Sequence, residues 1–270
     1  MKLQSILNKR NRALLRELVV TDFKLRYQGS ILGYLWSLLR PLFLFAIMYI
    51  VFGKFLKIGS SVPHYPIYLL LGIVLWGFFT EATSQGLSAI VARGDLIRKV
   101  NFPKYIIVLS GTLSALINLF LNLLIVAFFM VINKVDIHHG IVLFPLVLIE
   151  LYAIALAVAF FLSAAFVKYR DISHIWEIFL QAAFYATPIL YPITLVLSAN
   201  KTAAQLLMLN PVAQLIQDAR YTLVSHQTVT LYNLVHNPWA RAIPFVIVIV
   251  MVAVAVLYFR RNSKYFAEDV

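Results

Sequence analysis

No cysteine occurs among the 270 residues, which removes disulfides and thiolate metal sites and leaves the redox compartment open. Charge is scarce too: 13% of residues are charged, with 11 acids against 23 Lys and Arg. A soluble domain carries about a quarter charged residues. Catalytic signatures are missing as well. There is no Gly-x-x-x-x-Gly-Lys-Ser/Thr phosphate loop, since Gly53–Lys54 lacks the upstream glycine. There is no His-Glu-x-x-His pair, and His138–His139 read as a solvated turn. The chain is therefore expected not to be an enzyme and to bind no metal or cofactor of its own. Any ATP it depends on must be hydrolysed by another chain. The N-terminus shows no short apolar core before a small-residue cleavage site, so no removable leader is expected.

What is plentiful is apolar surface. Hydrophobic residues make up 62% of the chain, gathered into runs of about 20, the length a helix needs to cross some 30 Å of hydrocarbon. The net charge of +12 does not indicate nucleic acid, because the basic residues flank apolar runs rather than cover one folded face. This is the pattern of an integral membrane protein.

Six crossings are predicted, at about 33–56, 66–91, 105–132, 141–167, 174–197 and 242–260. Backbone groups in hydrocarbon must pair within their own segment, so each crossing is read as a helix and the fold as all-α. With the N-terminus inside, the inner segments hold 17 of the 23 Lys and Arg. The outer loops then hold Lys54, Lys57, Lys134, Lys201, Arg220 and Arg241. The positive-inside rule puts both termini in the cytoplasm.

Residues 3–27 are too charged to span. Leu3, Leu7, Leu14, Leu18 and Leu25 form one stripe, interrupted by Arg10, as in a helix lying at the interface. The N-terminal unit, residues 1–30, is thus an interfacial helix and loop, and 31–270 the spanning domain. Asp95–Phe102, bracketed by Gly94 and Pro103, predicts an amphipathic stretch of about two turns that must lean on a partner or the bilayer. Between spans five and six, Asn210–Pro211 separates two apolar segments, read as short helices dipping back toward the membrane. Thr187–Pro188 is expected to break span five and leave a carbonyl free.

Several side chains admit two readings. Glu81 and Glu150 lie within spans; interhelical hydrogen bonding is favoured over a proton relay, because no basic partner sits at matching depth. Trp36, Tyr49, Trp76, Phe79, Tyr185 and Tyr191 suit an interfacial belt or the lining of a passage along which sugar faces slide. Arg40 either snorkels to the interface or faces an inner cavity with Lys24 and Arg26, where cations would suit a pyrophosphate. Arg170 and Asp171 are adjacent and cannot pair on one helix. Each is expected to clasp another segment at the inner end of span four.

Five stretches, "LRYQGSILGYLWSLLRPLF", "LIRKVNFPKYIIVLS", "VKYRDISHI", "ATPILYP" and "LNPVAQLI", follow in the order and spacing of a known family. The chain resembles the membrane subunit of ABC-type polysaccharide exporters, the type-2 class that exports O-antigen, teichoic-acid and capsule-like polymers. That resemblance implies a plasma-membrane homodimer joined to two copies of a separate ATPase, which holds ATP and Mg. It makes Leu32–Gly33, with Lys24, Arg26 and Arg40 nearby, the entrance for a lipid-linked polymer. It makes Asp95, Leu96, Ile97, Arg98, Lys99 and Phe102 the coupling segment docked on the ATPase, and Asn210–Pro211 part of an outer gate. A type-2 exporter of lipids or drugs would share the six-span layout. A secondary carrier would need no ATPase and should show inverted repeats.

Overall fold

The computed structural model describes residues 9–26, 28–60, 62–136 and 139–269. Helix α1 (Lys9–Arg26) precedes a loop that takes left-handed backbone at Gly29 and Gly33 (φ 76° and 49°). Helix α2 (Leu35–Met48) continues as a π-helical turn over Tyr49–Phe55. Then follow α3 (Tyr65–Ala92), the short α4 (Gly94–Lys99), α5 (Tyr105–Ile132) and, after a 3₁₀ turn, α6 (Phe144–Lys168). The remaining elements are α7 (Ile172–Ala186), α8 (Ile193–Ala199), α9 (Lys201–Met208), α10 (Pro211–Leu223), α11 (Leu231–Leu234), α12 (Pro238–Asn262) and α13 (Phe266–Asp269).

Local chemistry sets these boundaries. Proline occupies the first turn of α3, α6, α10 and α12, where its missing N–H costs nothing. Asn200, Asn210 and Asn237 each accept a backbone N–H from the turn they open, at 3.0–3.1 Å. The sequence therefore states where the helices after residue 200 begin.

Helix α3 is the central strut. It is mostly buried between α5 and α6, while α12 packs on α6 and α1 lies across α5. Gly86 makes the α3–α6 approach possible, because a Cβ there would meet the Ala159 methyl at 2.3 Å. The other long helices keep broad apolar faces uncovered: Phe43, Ile47 and Ile50 on α2, Phe120, Leu124 and Phe128 on α5, Ile249 and Leu257 on α12. Surfaces of that kind suit hydrocarbon rather than water.

Five helical segments are long and apolar enough to cross a bilayer: Leu35–Phe55, Tyr65–Ala92, Tyr105–Ile132, His139–Lys168 and Pro238–Asn262. The predicted crossing at 174–197 is not one helix. It is divided into α7, 15 residues or about 22 Å long, and α8, joined by a non-helical link at residues 187–192. Thr187 turns extended (φ −83°, ψ 139°), because a residue before proline disfavours helical backbone.

The N-terminal stripe is used for packing. Leu14, Leu15 and Leu18 rest on a cluster that contains Ile97, Phe102 and Phe259. Leu3 and Leu7 lie outside the described residues, as do the Leu25 side chain and His138. The bundle thus has an α4 end, built from α1, α4 and α13, and an α10 end, built from α8 to α11.

Candidate functional site

At the α10 end, the feature that organises the structure is a buried cation. Arg220 of α10 is 0% exposed. Its Nε donates to the Tyr68 carbonyl (3.0 Å), and Nη1 donates to the Pro188 carbonyl (2.6 Å) and to Gln217 Oε1 (3.1 Å). Nη2 donates to the Ile189 carbonyl (2.8 Å). The guanidinium lies over the Tyr68 ring, 3.5 Å from its centroid. Carbonyl dipoles and a π face stabilise this charge, a role that guanidinium's planar fork suits. Gly72 makes the approach possible, since a Cβ there would meet Nη2 at 2.3 Å.

These bonds explain how the chain tolerates a break between α7 and α8. Opening a helix orphans carbonyls that water cannot reach at depth. Here Arg220 takes Pro188 and Ile189, and the Tyr65 hydroxyl takes the Leu190 carbonyl at 2.6 Å. Tyr191 Oη donates to the carbonyls of Tyr185 and Ala186, both at 3.2 Å. The carbonyls of residues 188–190, beyond the Thr187–Pro188 break, are thus all engaged. Arg220, counted above among the cations of the outer segments, has its side chain in the interior of the fold. The available signal was an arginine in a short amphipathic helix, with Gln214, Gln217 and Asp218 within two turns.

Between the ends, α3 and α5 share a polar network. Glu81 Oε1 accepts from Asn118 Nδ2 (2.7 Å) and Gln85 Nε2 (2.9 Å). Asn122 Nδ2 donates to the Asn118 carbonyl (2.8 Å) and to the Ser37 carbonyl of α2 (3.3 Å). Glu81 is thus an interhelical hydrogen-bonding carboxylate. Glu150 Oε1 is buried without a hydrogen-bond partner among the described residues.

At the α4 end, α4 is shorter than the expected Asp95–Phe102 stretch. The backbone turns extended at Val100 (φ −128°, ψ 130°), and Phe102 follows the helix as a separate buried anchor. Ile97 is buried and Leu96 half-buried, whereas Asp95, Arg98 and Lys99 face out. Two contacts hold this element from behind. Asp22 of α1 forms an ion pair with Arg93, just before α4. Phe266 of α13 is 1% exposed and meets Phe259 edge-on at 5.4 Å.

Other predicted site residues are dispersed. Trp76 and Phe79 are buried in the core of the single chain, against Phe184 and Trp176 respectively. Tyr49 is half-buried and stacks on Phe45 at 5.8 Å; Trp36 and Tyr185 are exposed and Tyr191 half-buried. Lys24, Leu32 and Arg40 are exposed and Gly33 half-buried, while the Arg26 side chain lies outside the described residues. Asn210 caps α10 and Pro211 opens it. Arg170 lies over the Phe166 ring of its own α6 at 5.4 Å. Arg170 and Asp171 are both exposed, and neither forms an ion pair among the described residues.

Comparison with known proteins adds a second line of evidence. The family model described as ABC-2 type transporter matches residues 13–224, from α1 through α10. The O-antigen export system permease protein RfbA of Myxococcus xanthus is 32% identical over 217 residues, covering 80% of this chain and 82% of that protein. A protein of the same name from Klebsiella pneumoniae is 28% identical over 217 residues, covering 78% and 82%. A second one from Klebsiella pneumoniae is 26% identical over 196 residues, covering 72% and 74%.

Proposed function

The chain belongs to the ABC-2 type transporter family, and from that premise we propose that it exports a lipid-linked polysaccharide or teichoic-acid-like polymer out of the cytoplasm. It is the multi-pass permease subunit of an ABC-type exporter, related to polysaccharide export. The observation that carries the substrate reading is the 32% identity to an O-antigen export permease across 82% of that protein.

In this reading two copies of the chain meet in the plasma membrane and two ATPase chains bind from the cytoplasm. Both termini and the α4 end are cytoplasmic. The pair α7–α8 makes the sixth crossing, and α9 and α10 form the re-entrant outer gate beside Asn210–Pro211. Residues 1–30 are the interfacial unit and 31–270 the permease domain. Leu32–Gly33, Lys24, Arg26 and Arg40 receive the anionic lipid head, and the aromatic rings flank the polymer's path. Arg170 and Asp171 clasp the inner end of α6.

Coupling runs through α4. Its buried Ile97 and the Phe102 that follows it tie it to the bundle, and its outward Asp95, Arg98 and Lys99 meet the ATPase. Closure of the ATPase pair on ATP then moves α4 together with α1. The test is co-purification with the ATPase, followed by ATPase assays with lipid-linked glycans. The double variant Arg98→Glu/Lys99→Glu should abolish stimulation while the melting temperature stays put. Stimulation at the parental level would remove those two side chains from coupling.

A further inference from the structure

A cleft of about 210 Å³ opens at the α10 end. It lies between the loop before α3 (Pro63), α3 itself (Tyr68), the start of α8 (Ile193, Thr194), α10 (Gln217) and the loop after α10 (Thr228). We infer that this cleft is a subsite for a neutral sugar residue. The inference rests on the polymer-export reading and deepens it, placing a sugar contact within one chain.

Three observations carry it. The first is the chemistry of the walls: hydroxyls, carboxamides and a tyrosine interleaved with proline rings and the aliphatic Val62, Ile193 and Val229, with no charged side chain among the described lining residues. Such a surface carries no charge to hold a phosphate or a metal ion. It matches a pyranose, whose hydroxyls both donate and accept and whose C–H faces pack on flat rings.

The second is an orphaned donor. Gln217 is 0% exposed, and its Oε1 accepts from Arg220 Nη1 (3.1 Å) and from the Tyr68 hydroxyl (3.2 Å). Arginine has only donors, so the carboxamide cannot be flipped. Its Nε2 is therefore an N–H₂ group, and it has no partner among the described residues. A buried donor fixed in this way, in a residue lining the cleft, calls for an acceptor. A sugar hydroxyl or ring oxygen supplies one.

The third is size. The cleft holds several times the roughly 30 Å³ share of one water, so a lone bridging water would leave most of it unused.

The absence of cysteine makes a clean test possible. Gln227→Cys puts a single thiol at the exposed rim of the cleft. The permease–ATPase complex in nanodiscs is treated with a maleimide, and the permease mass is followed with time. Glucose, galactose, mannose, rhamnose and N-acetylglucosamine serve as probes, with sorbitol as the osmotic control. At least one sugar should slow labelling about threefold, as two-thirds occupancy of one site gives. Adding Thr194→Trp, which fills the cleft, should remove that protection. Labelling unchanged by all five sugars, or protection that survives Thr194→Trp, overturns the inference. Stimulation of the ATPase by lipid-linked glycan is measured on the same preparation. Stimulation without protection refutes the cleft alone; protection without stimulation supports the cleft and counts against the export reading.

Discussion

The two ends of this bundle are fastened by opposite means. At the α10 end, Arg220 is wholly buried, and each of its three nitrogens donates to a neutral oxygen. At the α4 end, Asp22 and Arg93 form an ion pair whose side chains keep about a fifth of their surface in contact with solvent (23% and 19%). Water can replace the second contact and cannot replace the first. A buried carbonyl stripped of its donor costs about 1–3 kcal/mol, whereas a solvent-accessible ion pair contributes about 0–1 kcal/mol. The α10 end must hold a broken helix open, so its contacts are obligatory. In the proposed coupling the α4 end relays motion, and its contacts are ones that can shift. The inserted aromatics Phe102 and Phe266 supply the cohesion that the ion pair does not.

The most severe way to break the comparison is Arg220→Met, which keeps the volume and removes the donors. The Pro188 and Ile189 carbonyls would then be buried and unpaired, for a loss of about 2–6 kcal/mol. A large fall in the melting temperature of purified protein is expected, with protease cleavage appearing first in 186–193. Arg220→Lys should recover only part of this, because an ammonium lacks the fork that reaches Tyr68, Pro188 and Ile189 together. An Arg220→Met protein melting at the parental temperature would show that the clamp is dispensable.

Phe266→Ala comes next and probes the other end. Truncating a buried phenylalanine typically costs about 3–5 kcal/mol. Here the ring sits on a four-residue helix close to the C-terminus, so the loss should be spent on local release of α13 rather than global unfolding. The expected signature is a nearly unchanged melting temperature, weakened ATPase stimulation, and recovery of stimulation with Phe266→Tyr. A global loss of stability equal to that of Arg220→Met would erase the distinction between the two ends.

Much of this architecture could be read in the amino-acid order, because its causes are local. Apolar run length located five of the six predicted spans, with 105–132 matching α5 end to end. Asn210–Pro211 announced the start of α10, and Thr187–Pro188 announced the end of α7. The clamp could not be read in this way. Arg220 meets Pro188, Ile189 and Tyr68 at sequence separations of 32, 31 and 152 residues, so no helical or strand period relates them. Charge counting assigns an arginine to a side of the membrane and says nothing of whether its side chain is solvated or folded into the protein. Phe266 was missed for a related reason: an aromatic in a polar tail gains meaning only once Phe259 and the α4 cluster are in place. The division of the fifth crossing was half legible, since proline marks the break but not what satisfies it.

The smallest expected effect sharpens the comparison through pH. Asp218 is half-buried on α10, and its Oδ2 accepts from Gln214 Nε2 at 3.1 Å. Burial pushes its carboxyl up to about 6, against the lowering effect of that hydrogen bond. A raised carboxyl means that the folded protein holds a proton which the unfolded chain, with an ordinary value of 3.8, has released. Between those values the unfolded state binds fewer protons, so stability falls as pH rises. The contribution is complete below pH 3.8 and is lost as pH passes about 6. Hydrogen exchange of the α10 amides should therefore be slower at pH 5 than at pH 7.5, after correction for the intrinsic rate. Asp218→Asn should remove that difference, while the amides of α4, one bundle length away, should show no change attributable to this group. A pH response of α10 that persists in Asp218→Asn would assign it to another group, such as Glu150 or His226.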